Sequence, residues 1–354
     1  MESYGGVARQ YCGQLGKRAN CQSLVSLTLA QGEVPMPVGL RLFLPDEWIT
    51  DAGRCARAGV PAHAIPAAAR PEPWAAPPDL EMTPRAKGEI ALSELDRVRA
   101  AGVRFGTVLA DAGYGASAAF RHGLDARGLL WAVGIPKNQK VYGTDAQLVP
   151  PPGRARKLVP SEEPRVAEDV LAERPWRRVT WRQGTKGPLS AKFAATRIRV
   201  ADGAVWAHNR HLPGKQAWLV GEWRSSGERK YYLSNLPPRT SVRALATAIK
   251  ARWVCEQAHQ QLKGELGLGH FEGRSWTGLH RHALMTCIAY TYLQYLRLVG
   301  HRRTGRGENV APQPRTASVT QPARPASGHY RAAVRPSRSA RPVPALSTSL
   351  PATA

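Results

Sequence analysis

The chain has 354 residues, 43% of them apolar, which is enough for one large domain or two ordinary ones around a true core. Its formal charge of +24 favours polyanionic partners, whose phosphates release counterions to Lys and Arg, although a GC-rich genome that inflates Arg would give a similar excess. No run of eighteen apolar residues exists, so no membrane span is expected, and MESYGGVARQ lacks the apolar centre of a signal peptide. Cys12, Cys21, Cys55, Cys255 and Cys287 form neither a C-x-x-C pair nor a disulfide framework, which fits a reducing, cytoplasmic setting.

In chain order, SLVSLTLA (23–30) alternates as a strand, and VGLRLFLP (38–45) reads as a second strand that pairs with it as a hairpin. Residues 52–86, rich in Ala, Pro and Arg, read as an irregular loop. EIALSELDRVRAAG (89–102) has helical periodicity ending at Gly102. FGTVLAD (105–111) reads as a buried strand that ends on Asp111, before a turn bracketed by Gly113 and Gly115. A helix over 117–128 and a strand over 129–135 follow, and the Pro- and charge-rich residues 136–176 are expected to be irregular. RRVTW, AATRIRV, AWLVGEW and KYYLSNL, within 177–235, alternate as antiparallel strands. From Val242 to about Val299 the pattern is helical. Residues 301–354 hold nine Arg, no Lys, one acid and eight Pro without a hydrophobic period, which predicts a disordered basic tail. The Arg residues are dispersed among Pro, Ala and Ser, which favours a run-on translation over a DNA-contacting arm.

Two places carry candidate chemistry. Residues 252–263 space Arg252, Glu256 and Lys263 as R-x3-E-x6-K on one predicted helix, one turn and then two turns apart, on a shared face. A carboxylate flanked by two cations can hold a metal ion and clamp a phosphate backbone. Taken alone, the triplet reads more simply as a salt-bridged helix surface worth a few tenths of a kcal/mol. Asp111, at a strand end before a glycine turn, sits where ligands gather in open α/β sheets, and equally where an Asp caps a helix or turn. His259, His270, His280 and His282 read as surface or DNA-facing residues, and Lys186 as part of a hairpin turn. Trp206, Trp218, Trp223, Tyr231 and Tyr232 read as core packing, with base stacking as the alternative.

R-x3-E-x6-K followed by GELGLGHFEGRSW resembles the Y-R-E-K signature of DDE transposases encoded by bacterial insertion sequences. VLADAGYG (108–115) resembles the segment carrying that family's second catalytic Asp, and GVARQYCGQLGKRANCQ (6–22) is similar to the stretch after its first catalytic strand. WRQGTKGPLSAKFA (181–194) and KYYLSNLP (230–237) also look like family segments, in the family's order. The resemblance implies a ribonuclease-H-like α/β core interrupted by a β-rich insertion, then a helical C-terminal part and a disordered tail. The corresponding divisions are a partial core at 1–135, the insertion at 136–238, C-terminal helices at 239–300 and the tail at 301–354. The implied function is metal-dependent cleavage and strand transfer on double-stranded DNA, at transposon ends and target, with a homodimer on the DNA as one arrangement. Asp111 and Glu256 would be the catalytic carboxylates and hold Mg²⁺ or Mn²⁺, while Arg252 and Lys263 would contact DNA. The protein would be nucleoid-associated. Two metal ions about 3.5–4 Å apart would stabilise the attacking and leaving oxygens, which calls for about three converging carboxylates.

Two departures matter. Ile249 stands where the signature has Tyr, and it supplies neither a hydroxyl nor a ring, which weakens the contact to end DNA. The family's first catalytic Asp lies upstream of the segment matched by 6–22, where Glu2 is the sole acid. The expectation is therefore an N-terminally truncated, catalytically inactive copy that lacks a central strand. The alternative is a non-catalytic DNA-binding remnant that occupies transposon ends or inhibits active transposase. The insertion and the Arg252–Glu256–Lys263 stripe argue against a plain nuclease sharing the core.

Overall fold

The computed structural model describes residues 5–12, 15–61, 86–151, 157–184 and 186–304. Two hairpins come first: β1 (Ala8–Cys12) with β2 (Lys17–Cys21), and β3 (Ser23–Gln31) with β4 (Val34–Phe43). The second turns through Gly32 at φ +59°, a left-handed conformation that a two-residue hairpin loop requires and that glycine adopts without strain. Then come α1 (Asp46–Ile49), α2 (Ala52–Arg57), α3 (Lys87–Ala100), β5 (Thr107–Ala110), α4 (Ala112–Gly115), α5 (Ala118–Ala126) and β6 (Leu130–Ile135). Short elements follow: β7 (Lys140–Tyr142), β8 (Leu148–Val149), β9 (Val159–Pro160), β10 (Arg165–Val166) and α6 (Ala167–Ala172). Long strands β11 (Arg177–Gly184), β12 (Gly187–Ala207), β13 (Arg210–Trp223) and β14 (Arg229–Ser234) lead to helices α7 (Val242–Ala251), α8 (Trp253–Gly264) and α9 (Trp276–Thr304).

One eight-stranded sheet runs β10–β7–β12–β13–β14–β6–β5, with β11 paired to β12 off this path. Only β5 and β6 in it are parallel. Alternation along each strand divides its side chains between two cores. On one face Val133, Ile135, Leu219 and Leu233 meet Leu92 and Leu95 of α3, Phe120 and Leu124 of α5 and Leu171 of α6. On the other, Ala132, Val220 and Phe193 meet Leu245, Ala246 and Ile249 of α7. Helices on both faces of a mixed sheet give the ribonuclease-H-like α/β class implied by the sequence. The β-rich stretch is continuous with the rest of the sheet, because β14 pairs with β6 from Tyr231↔Ile135 to Ser234↔Ala132.

The β3–β4 hairpin is a separate two-stranded sheet, and β5 ends the large one. Helices connect the two. Ser26 Oγ of β3 lies 2.8 Å from His259 Nε2 of α8, and Cys255 Sγ lies 3.4 Å from Thr28 Oγ1. On α3, buried Glu94 accepts from Arg41 of β4 at 2.6 Å and from Arg97 at 2.9 Å. Those guanidiniums hold its carboxyl below the usual range against the opposing effect of burial.

Several expectations need correction. Residues 52–57 are helix α2, not loop, because Asp51 caps it by accepting from Arg54 N at 2.8 Å; 62–85 of the same stretch lie outside the described residues. Residues 107–110 form the expected strand, but half-buried, since β5 is an edge with a neighbour on one side. The 136–176 stretch is not wholly irregular: it supplies β7 and β10 to the large sheet and buries α6 through Ala167, Val170 and Leu171. Helix α9 continues to Thr304, while the tail from 305 lies outside the described residues.

Candidate functional site

Asp111 follows β5 directly and is the N-cap of α4. Its Oδ1 accepts from Gly113 N at 2.9 Å and from Tyr114 N at 3.4 Å, satisfying donors that the helix start leaves unpaired. The capping reading of Asp111 is therefore realised, and the side chain remains exposed at the sheet's C-terminal edge. The ADAGYG spacing has a packing reason: a Cβ on Gly115 would run into the Gly134 carbonyl of β6, so α4 lies directly on the sheet. Tyr114 packs behind it against Phe120, ring centroids 5.5 Å apart. Burial, and then the Asp111 charge, push its hydroxyl up to about 12.

Glu256 comes from the other side of the chain fold. Arg252 is the junction residue between α7 and α8, not an interior helical position, and its guanidinium pairs with Glu256 across one turn. The Glu256 side chain is 61% exposed. Lys263 lies in the last turn of the same helix, exposed, where a cation also suits the negative end of the helix dipole.

Asp111 and Glu256, 145 positions apart, line one cleft of about 590 Å³. Arg252 lines it too, with Lys137, Arg224, Arg229, Lys230 and Lys250. Six cations and two carboxylates thus line its wall, and just outside the lining Glu168 pairs with Lys137, Glu222 with Lys250 and Arg224, and Glu228 with Arg224 and Lys230. The β14–β6 pairing brings Lys137 into reach of Arg229 and Lys230, and α7 adds Lys250 from above.

Beneath this wall lies Glu222, fully buried on β13. It accepts from Lys250 Nζ at 2.7 Å, Arg224 Nε at 3.0 Å and Tyr232 OH at 2.8 Å. Burial would raise its pKa, but Lys250, Tyr232 and Arg224 outweigh that and hold it below the usual carboxylate range. The Tyr232 hydroxyl is pushed up by the same burial and by the Glu222 charge. Lys250 also lies 4.7 Å from the Trp181 ring centroid, and Arg182 covers Trp253 at 4.3 Å. Lys250 and Arg224 are thus held by a fixed base and do not swing freely from the surface.

The other candidates fall elsewhere. His259 is not a surface residue: it packs half-buried against Ser26, and burial, then Lys263, lower its pKa. His280 bonds Trp276 O at 2.9 Å and His282 bonds Gly267 O at 2.9 Å, so the two rings serve local structure. His270 is exposed. Lys186 lies in the β11–β12 turn, away from the cleft lining. Trp218, Trp223 and Tyr231 pack on the sheet, and Trp206 Nε1 is buried with no hydrogen-bond partner within 3.5 Å among the described residues. Of the aromatics singled out from the sequence, Tyr231 and Tyr232 reach the cleft.

The carboxylates fall short of a metal centre. Among the described residues no group of three or more His, Cys, Asp or Glu side chains is arranged to hold a metal ion. Asp111 uses Oδ1 as a cap, and Glu256 is paired with Arg252. Two such groups do not complete the donor set that a pair of divalent cations requires.

A family profile described as DDE superfamily endonuclease matches residues 3–188, slightly more than half of the chain. The matched segment contains Asp111 and ends before Arg252, Glu256 and Lys263. No curated protein matches the chain. No helix among the described residues is long and apolar enough to cross a membrane.

Proposed function

Since the chain belongs to the DDE superfamily endonucleases, we propose that it is an insertion-sequence transposase chain whose cleft grips the backbone of double-stranded DNA. The single observation that carries this reading is the shared cleft: two carboxylates singled out from separate motifs line it together, among six cations. Arg224, Lys250 and Arg252 would neutralise phosphate oxygens, and Lys263 would extend the contact along α8. Asp111 and Glu256 would be the carboxylates of the cutting site. With a further carboxylate beside Asp111 and Glu256, a divalent metal such as Mg²⁺ or Mn²⁺ would be held there and would supply activation of an attacking oxygen and stabilisation of the leaving one. Because the donor set is incomplete among the described residues, cutting in this reading waits on a third carboxylate from outside them.

That same shortfall favours a second reading, a protein that binds DNA ends without cutting them. One experiment separates the two. Duplex binding is measured against salt, followed by cleavage with added Mg²⁺ for the parent, Asp111→Asn and Glu256→Gln. Both readings expect steep salt dependence, a loss of roughly 10³–10⁵ in affinity between about 50 and 200 mM salt for six to ten phosphate contacts. Lys263→Ala should lower the salt slope by about one. Cleavage by the parent that both variants lose, with binding kept, supports the transposase. Binding without cleavage supports the second reading. Cleavage that survives Glu256→Gln overturns the site assignment, and salt-independent or absent DNA binding overturns both readings.

A further inference from the structure

The β1–β2 hairpin is anchored at its base and bare beyond it. At the base Ala8 is buried, and fully buried Trp48 donates through Nε1 to Val7 O at 2.8 Å. Arg54 donates to the same carbonyl at 3.2 Å and lies 4.1 Å over the Trp48 ring. Gln22 Nε2 donates to Gly5 O at 2.5 Å, and Gln10 Nε2 to Cys21 O at 2.8 Å. The two strands pair with each other as a sheet of their own. Their register sets Arg9 opposite Asn20 and Tyr11 opposite Arg18. Alternation therefore puts Arg9, Tyr11 and Arg18 on one face, and all three are exposed, Tyr11 by 65%. Gln10, Cys12, Ala19 and Cys21, on the other face, are half-buried, and exposed Leu15 and Lys17 stand at the turn end. Charge sets this ribbon apart from the rest of the basic surface. No acid occurs from Ser3 to Gly32. Elsewhere Arg127 pairs with Asp96, Arg165 with Glu173 and Arg210 with Glu163, whereas Arg9, Lys17 and Arg18 have no carboxylate partner among the described residues. Cations on a bare strand edge also discourage edge-to-edge pairing, but that role gives no reason to expose Tyr11 and Leu15 between them.

We propose that the β1–β2 ribbon is a second DNA contact, one that lies in the major groove of the duplex whose backbone the cleft grips. This inference rests on the DNA reading above and extends it to a surface that shares no residue with the cleft lining. The major groove is about 12 Å wide and admits a two-stranded ribbon, whose strands stand about 4.8 Å apart. Arg9 and Arg18, one on each strand, would meet phosphates on either wall of the groove. Tyr11, between them, would lay its ring against base edges and thymine methyl groups. The Trp48 and Arg54 bonds to Val7 fix the direction in which the ribbon leaves the body, so little ordering is left to be done on binding.

The test is binding of the full chain, against salt, to two duplexes of one sequence. One is plain, and in the other the cytosines carry glucosylated hydroxymethyl groups that fill the major groove. The parent should bind the filled duplex at least about tenfold more weakly than the plain one. Arg9→Gln combined with Arg18→Gln should lower the salt slope on plain duplex by about two and abolish the difference between the duplexes. Tyr11→Ser, which keeps both guanidiniums, should weaken plain binding with the slope unchanged and shrink that difference. The substituted side chains are exposed, so the circular dichroism spectrum should not change. A parent that binds both duplexes equally overturns the proposal and leaves the cleft reading standing. So does a difference that persists in both ribbon variants, which assigns the groove contact to another surface, or a double variant with the parent's slope while Lys263→Ala lowers it. A parent that binds neither duplex overturns the DNA reading and the ribbon's role with it.

Discussion

Glu222, beneath the cleft wall, and Glu256, on its lining, occupy opposite conditions. Glu222 is fully buried under the wall, with three hydrogen-bond donors satisfying its carboxylate. Glu256 stands on the rim, largely exposed, with Arg252 as its ion-pair partner. A buried carboxylate of this kind cannot exchange partners without leaving charges stranded, so it fixes the geometry of what surrounds it. An exposed one gains little from its partner and can trade it for a phosphate-bound cation or a metal at small cost. The base of the cleft is therefore rigid where its cations are rooted, and its rim is free where chemistry would occur.

The sharpest way to break this contrast is to remove the buried member. Glu222→Ala leaves Lys250 and Arg224 without their acceptor and should cost about 3–5 kcal/mol of stability, read as a lower urea midpoint. If the midpoint barely moves, the floor is not the rigid base described above. Acid should act on the same group. The folded pKa of Glu222 lies below its ordinary 4.5, so its contribution is complete above pH 4.5 and is lost as pH falls below that value. His259 gives an earlier and smaller step. Its folded pKa lies below 6.5, so the unfolded chain takes up the proton first, and stability should begin to fall as pH drops below 6.5. His259→Gln should remove that upper step and leave the lower one; a pH–stability curve still inflected there would show that another group is responsible. The smallest effect belongs to the rim. Glu256→Gln should change stability by less than about 0.5 kcal/mol, and a larger loss would mean that Glu256 is structural, as Glu222 is.

Much of the fold was legible. The β3–β4 hairpin, α3, β5, α5, β6 and the long antiparallel strands all follow periods of two or 3.6 with glycine or capping residues at their ends. The two carboxylates were legible as well, Asp111 from a strand end and Glu256 from its spacing to Arg252. The cations opposite them were not. Arg224, Arg229 and Lys230 meet across the local β13–β14 hairpin, but Lys137 joins them through the β14–β6 pairing, a long-range register with no local signature. Glu222 reads in the sequence as one more acid on an exposed strand face; only the third layer, α7 with Lys250, turns that face into an interior. Lys250 stands two positions before Arg252 and could have been included with the motif.

The hairpin that stands apart from the main sheet also sets a clock for synthesis. Its Ser26 waits for His259, 233 positions later, and its Leu42 is covered by Leu279 still further on. At roughly 5–20 residues per second, the hairpin emerges on the order of tens of seconds before the helices that cover it. Once α1, α2 and α3 have packed on it, the part of the hairpin that α8 and α9 will cover is still open to neighbouring nascent chains, so the yield of folded protein should depend on translation speed and on chaperones that shield it.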